Sequence, residues 1–302
     1  MNHGSVILMY HRICPVEQAR PWFARGTAVT PTAFQRQMQW LVRNFEVVPL
    51  RTLLKCAGDR ARPQASITFD DGYVDTFVHA LPICEELGLV GTVFPVAGYL
   101  ADEGRSLWFD AFYTLLQRAI PTPESHSEAC ILGIPLGRWV RGPEKERLQL
   151  APPTQRETLL DDLAEQLGLG QTPDKRRDAL YLSSGQLRHL VSRGWGIGGH
   201  GQTHSRFPLL GDAALQHELQ ASLHLASHHD PGEPILAYPD GAHDTRVVDM
   251  ARSIGFRWGL TVTPGTLVGG SATDPARAMT LPRFFCRGDQ EQPTAMLVTD
   301  EV

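Results

Sequence analysis

Two carboxylates stand side by side in "SITFDDGYVDTF", residues 66–77, where a strand-like run meets a glycine. Neighbours along a strand point to opposite faces. A chain that turns at Gly72 can still aim Asp70 and Asp71 into one pocket. Two close carboxylates repel unless a cation lies between them or one stays protonated. The competing reading is a helix N-cap, because aspartate at a strand-to-helix turn satisfies free amides and suits the helix dipole. The motif alone leaves both readings open.

"GHGQTHSRF" places His200 and His204 four residues apart after the strand-like "WGIGG". That spacing brings two imidazoles to one metal. With 12 histidines in 302 residues, roughly half such a pair is expected by chance, and His224 and His228 repeat the spacing. The second pair lies in a polar amphipathic helix and reads as solvated surface. The first follows a strand end, where α/β folds place ligands. One aspartate and two histidines leave a coordination position open for water, the pattern of a catalytic metal. The other aspartate is then free to act as general base. "LMYHRI" puts His11 at the end of the first strand, either as a proton donor or as an ordinary histidine bonded to backbone. "AYPDGAHD" offers Tyr238, Pro239 and Asp240 as a substrate frame, or as an ordinary Pro-Asp-Gly turn. Tyr73, beside the aspartate pair, is a further candidate for substrate contact. Arg283 in "LPRFF" either pairs with Asp70 and keeps it ionised or is a surface arginine.

These residues need elements to hold them. "SVILMYHRI", "ASITF", "GTVFPVA", "WGIGGH", "PILAYP" and "WGLTV" read as strands. Between them, "TPTAFQRQMQWLVRNF" reads as a helix with Phe34, Met38, Leu41 and Val42 on its apolar side. Residues 74–87 read as a helix that Pro82 bends or interrupts. "LSSGQLRHLVSRG" reads as a helix capped by Ser183 or Ser184 and ended by Gly194. Asp212–His229 and "DTRVVDMARSIG" are further helices. Repeated strand–helix units predict a parallel sheet, open or closed into a barrel, with the site at the carboxyl ends of the strands. Residues 103–182 break the rhythm and read as a helical insertion within one domain spanning 1–302. It is either a lid or substrate wall, or a structural excursion.

The totals narrow the function classes. A net charge of -5 argues against nucleic acid or an anionic membrane as partner. No apolar run is long enough to span a bilayer. The first residues lack the layout of a signal peptide, and five scattered cysteines form no CxxC, so the expected setting is cytoplasmic with reduced thiols.

Taken in this order and separation, "TFDDGYVDTF", "IGGHGQTHSRF" and "LAYPDG" resemble the polysaccharide deacetylase family, the NodB-homology domain of carbohydrate esterase family 4. The "LMYHRI" start and "LPRF" end are similar to the branch that acts on exopolysaccharides such as poly-N-acetylglucosamine. The resemblance implies a distorted (β/α) barrel and metal-dependent removal of N-acetyl groups from an amino-sugar polymer or oligomer. It implies Asp71, His200 and His204 as ligands of one divalent ion, zinc first, with Co2+, Ni2+ or Fe2+ as alternatives. Asp70 would be the base. The family's late histidine acid has no counterpart after His243, and the exopolysaccharide branch moves that function to the N-terminus, which implies His11. Two departures stand out. "LAYPDG" lacks the arginine usual in the third motif, leaving Arg283 as its substitute. Gly201 stands where a hydroxyl residue commonly follows the first histidine. The alternative targets are a small nucleotide- or lipid-linked N-acyl amino sugar, or carbohydrate binding without catalysis.

Overall fold

In the computed structural model, the described residues are 4–15, 24–55, 62–100, 106–119, 130–132, 134–135, 138–139, 142–170, 180–267 and 272–288. The expected insertion therefore falls partly outside the described residues, at 103–105, 120–129, 133, 136–137, 140–141 and 171–179.

The barrel is built from short parallel strands. They are β1 (Val6–Tyr10), β2 (Gln64–Asp71), β3 (Gly91–Pro95), β4 (Gly196–Ile197), β5 (Ile235–Ala237), β6 (Trp258–Leu260) and β7 (Phe284–Phe285). The order β7-β1-β2-β3-β4 forms one sheet, and β5 pairs β6 separately. Single parallel bridges, Gly199 to Leu236 and Leu260 to Leu281, join the two sheets. Leu281 lies just before β7, so the strands close into a distorted ring. Glu46–Val47 adds a short strand beside β2.

All five residues of β1 and all eight of β2 are buried. Burial on both faces is what a parallel barrel strand with helices outside it requires. Ala65, Ile67 and Phe69 join Val6, Leu8 and Tyr10 in the outer cluster beneath the helices. Ser66, Thr68 and Asp70 take the opposite face, so β2 carries polar side chains inward.

The helices follow the sequence with local corrections. Helix α1 (Pro31–Asn44) is capped by Thr30, whose hydroxyl accepts from the Ala33 amide. Its buried face holds Phe34, Met38 and Leu41 as expected, but Val42 is exposed and Gln37 is buried instead. Gln37 is tolerated there because its carbonyl accepts from the Tyr10 hydroxyl at 2.9 Å. Residues 76–80 form a wide π-type turn, and α2 (Leu81–Glu86) restarts with Pro82 in its first turn. Pro82 thus begins a helix rather than ending one, because proline lacks only an amide that a first turn leaves unused. Helices α3 (Trp108–Ala119), α4 (Pro143–Leu150) and α5 (Pro153–Gln166) lie between β3 and β4 and pack around an aromatic-rich cluster of their own, including Trp108, Phe112 and Trp139. Helix α6 (Ser184–Ser192) has a full capping box from Ser183 and Gln186. Helices α7 (Asp212–His229) and α8 (Thr245–Ile254) complete the outer layer. His224 and His228 are exposed on α7, with rings stacked 6.2 Å apart, as expected of solvated surface.

Candidate active site

The site begins where β2 ends. Strand alternation alone would send Asp71 outward. Its backbone instead adopts φ 68°, and Gly72 follows at φ 74°. The turn therefore starts one residue before the glycine and brings both carboxylates to the barrel mouth. A non-glycine residue in this left-handed region carries strain on the order of 1–3 kcal/mol. His204 at φ 55° and Asp240 at φ 54° share the conformation, and all three line the same cavity. A Cβ at Gly72 would lie 2.8 Å from the Pro95 side chain, so β3 packs directly against the turn.

Asp70 is buried against Arg283, which is fully enclosed. The guanidinium donates to both carboxylate oxygens, at 2.7 Å each. Its Nε donates to the Thr261 carbonyl at 2.9 Å, which fixes the fork from behind. Burial alone would raise the Asp70 pKa, but Arg283, together with His200 and His11, holds the carboxyl below its ordinary value.

Asp71, His200 and His204 face one another and are buried. Asp71 Oδ1 lies 3.4 Å from His200 Nε2 and 3.2 Å from His204 Nε2. Burial works to raise the Asp71 pKa, yet the facing imidazoles hold it well below the carboxylate range. His200 Nδ1 lies 2.7 Å from the Ala237 carbonyl of β5. That contact requires the proton on Nδ1 and leaves Nε2 as a lone pair aimed inward. Asp71 Oδ1 and His200 Nε2 are both buried with no hydrogen-bond partner. Buried acceptors without donors are costly. A divalent cation between them satisfies both, so the residues fit a metal ion.

Helix α7 shapes the loop that carries the histidines. The carboxylate of Glu218 accepts from the amides of Gln202 at 2.6 Å and Thr203 at 2.9 Å. Ser222, one turn later, accepts from the Gly201 amide at 3.1 Å. Gly201 has φ 78°, which explains glycine here in place of a hydroxyl residue.

His11 lies just past β1 at the edge of the same cavity, partly exposed, with its ring 5.3 Å from that of Phe285. Burial pushes its pKa below the ordinary imidazole value, against the pull of Asp71 and Asp70. The cavity has a volume of about 590 Å³. Trp108, Phe109, Tyr113, Lys145 and Gln149, from the helical segment between β3 and β4, line one side of it.

The sequence matches the polysaccharide deacetylase family over residues 57–259. This chain belongs to that family. It is accordingly a hydrolase, and the family's reaction is removal of acetyl groups from the amino sugars of polysaccharides. The family is metal-dependent, and this deacetylase carries a buried Asp-His-His set able to hold the ion. Its fold is shared with solved deacetylases. PplD of Streptococcus pyogenes, solved with acetate, superposes with a TM-score of 0.64 at 16% identity over 100% of both chains. IcaB from Ammonifex degensii gives 0.59 at 15% identity, over 96% of this chain and 94% of that one. The deacetylase domain of BpsB from Bordetella bronchiseptica gives 0.53 at 16% identity, over 94% and 96%. No curated protein matches the deacetylase by sequence.

The family match leaves out two residues of this site, one at the cavity edge and one enclosed behind Asp70. His11 precedes it and Arg283 follows it, and β1 and β7 bring both back beside β2. The expected substrate frame divides. Asp240 lines the cavity and pairs with Arg206 at 2.9 Å. Tyr238 does not reach it: the side chain is fully buried, and its hydroxyl donates to the Met279 carbonyl. Pro239 is buried with it. The Pro-Asp-Gly turn presents only its aspartate, because the positive φ at Asp240 reverses the chain there. Tyr73 borders the cavity, but its hydroxyl donates to Asp110 at 3.0 Å. The sequence reading missed Phe109, whose ring meets the edge of His204 at 5.2 Å, and the buried pair Arg12–Asp75 at 2.6 Å. The aromatic run "LWFDAFY" was the one signal for the former.

Proposed function

We propose that this deacetylase removes N-acetyl groups from an N-acetylated amino-sugar polymer or oligomer of the exopolysaccharide type, with zinc held by Asp71, His200 and His204. The observation that carries this reading is the separation of the two adjacent carboxylates. One is held in a fork by Arg283 and the other faces two imidazoles.

A divalent ion at that position supplies Lewis-acid polarisation of the acetamide carbonyl and makes water a better nucleophile at neutral pH. Asp70, kept ionised and oriented by Arg283, accepts the proton from the attacking water. His11, protonated, donates to the departing nitrogen as the C–N bond breaks. The products are acetate and a free amino group. Trp108, Phe109 and Tyr113 give the cavity the aromatic side that a sugar ring packs against. Residues 103–182 then act as a substrate wall inserted into a single domain.

The test is mass-spectrometric assay of acetate and formate release. Substrates are N-acetylated oligosaccharides and single nucleotide- or lipid-linked N-acyl sugars, each with and without chelator. Chelator-sensitive acetate release from oligosaccharides supports the reading. Activity confined to single activated sugars, or to formyl groups, overturns the substrate assignment.

A further inference from the structure

A buried carboxylate that the proposed reaction does not use sits behind the metal residues. Asp110, on α3, is 1% exposed. Its Oδ2 accepts from the Tyr73 hydroxyl at 3.0 Å and from the Tyr181 hydroxyl at 2.6 Å. The Leu107 amide donates to the Tyr181 oxygen at 2.9 Å, and the two tyrosine rings stack at 5.5 Å. Both phenols stay protonated donors, since burial and then the Asp110 charge push their pKa values well up.

The backbone repeats the connection. Tyr73 and Tyr181 form an antiparallel bridge. The Val74 amide donates to the Leu180 carbonyl at 2.9 Å, and the Leu182 amide donates to the Gly72 carbonyl at 2.8 Å. The turn that carries Asp71 is therefore clasped on its outer side by residues 180–182. One residue before Asp110, Phe109 sets its ring against His204. The turn that carries Asp71, through Tyr73, and the ring of His204 thus lean on consecutive residues of α3.

We infer that Asp110 is a positioning residue for the metal site: by gripping Tyr73 and Tyr181, it ties the helical segment between β3 and β4 to the Asp71–Gly72 turn. The helices that wall the cavity and the geometry of the ligands are then set by one latch. A charge buried this deeply is costly unless its hydrogen bonds are made. Those bonds form only when α3, the turn and residues 180–182 are together. This inference rests on the metal reading of the site.

Metal-free protein is titrated with Co2+, followed by the visible absorption of the bound ion, and kcat and KM are measured on the zinc-loaded enzyme. The variants are Asp110→Ala, Asp110→Asn, Tyr73→Phe and the double Asp110→Ala/Tyr73→Phe. The expected results are Co2+ affinity weakened ~10-fold or more, as for other groups that orient ligands, and a changed Co2+ spectrum. The fall should be in kcat rather than in KM. The double variant should be no worse than Asp110→Ala, because both break one latch. If Asp110→Ala does not fold, Asp110→Asn decides by the same readouts. A lower melting temperature with unchanged Co2+ affinity, spectrum and kcat overturns the inference and leaves Asp110 merely structural. Failure of the wild-type protein to bind Co2+ sinks the metal reading itself.

Discussion

Arg283 sets the state of Asp70. Because Arg283 holds the folded-state pKa of Asp70 below its unfolded value, the pair stabilises the fold above the ordinary carboxylate range. That contribution is lost as pH falls through the lowered pKa. Replacing Arg283 with methionine leaves a buried carboxylate with no guanidinium. The expected cost is about 3–5 kcal/mol, read as a drop in chemical-denaturation stability at neutral pH. Burial then dominates and raises the Asp70 pKa, so the acid limb of kcat/KM should move to higher pH. An unmoved limb would reject Arg283 as the group that tunes the base. Asp70→Asn keeps the shape but removes the proposed base, and should abolish turnover while zinc content stays unchanged. Substantial activity in that protein would end the base assignment. For His11, burial lowers the pKa, so its acid form is populated below the ordinary imidazole range. If it donates the proton, kcat/KM should rise as pH falls from neutral toward the limb set by Asp70. His11→Ala should remove most activity and that dependence with it.

The elements deliver these side chains through strained turns. The loop from His200 to His204 works because Gly201 adopts φ 78° and its amide reaches Ser222 of α7. Restoring a hydroxyl by Gly201→Ser would place a Cβ in the left-handed region, 3.0 Å from the Glu218 carboxylate. We expect a loss of about 1–2 kcal/mol in stability and weaker zinc binding, measured by thermal unfolding and metal competition. A stabilised variant with full zinc affinity would contradict the account of this loop. Several elements were legible in advance. Helix α7 has the expected ends, and α6 has the Ser183 cap. Others were not. "WGIGGH" yields a strand of only two residues, Gly196–Ile197; a Cβ at Gly198 or Gly199 would lie 2.2 Å from the Phe94 or Ser222 side chain, so these glycines serve close packing instead. Glu218 sits in a helix whose charge and histidines suggest solvent. Its burial follows from loop amides that no local pattern announces.

At the scale of the molecule, the barrel closes around a group of like-oriented acceptors that needs a cation. Metal removal should therefore destabilise the fold as well as abolish activity. Adding zinc to metal-free protein should raise its Tm with concentration, as expected for a ligand that binds only the native state. A Tm independent of zinc would show that the three residues do not hold the ion. The sequence by itself determined the chemistry available, namely adjacent aspartates, a histidine pair after a strand, and alternating strands and helices. Those signals are local, carried by residue type and short spacing. Only the tertiary structure decided which candidates meet. It brought His11 and Arg283 to Asp70 from opposite ends of the chain, buried Tyr238 and Pro239 away from the cavity, and gave Tyr73 to Asp110. The physical reason is that barrel closure sets distances between residues more than 200 positions apart, 213 for Asp70 and Arg283. No spacing along the chain encodes which side of a closing strand such a residue will face.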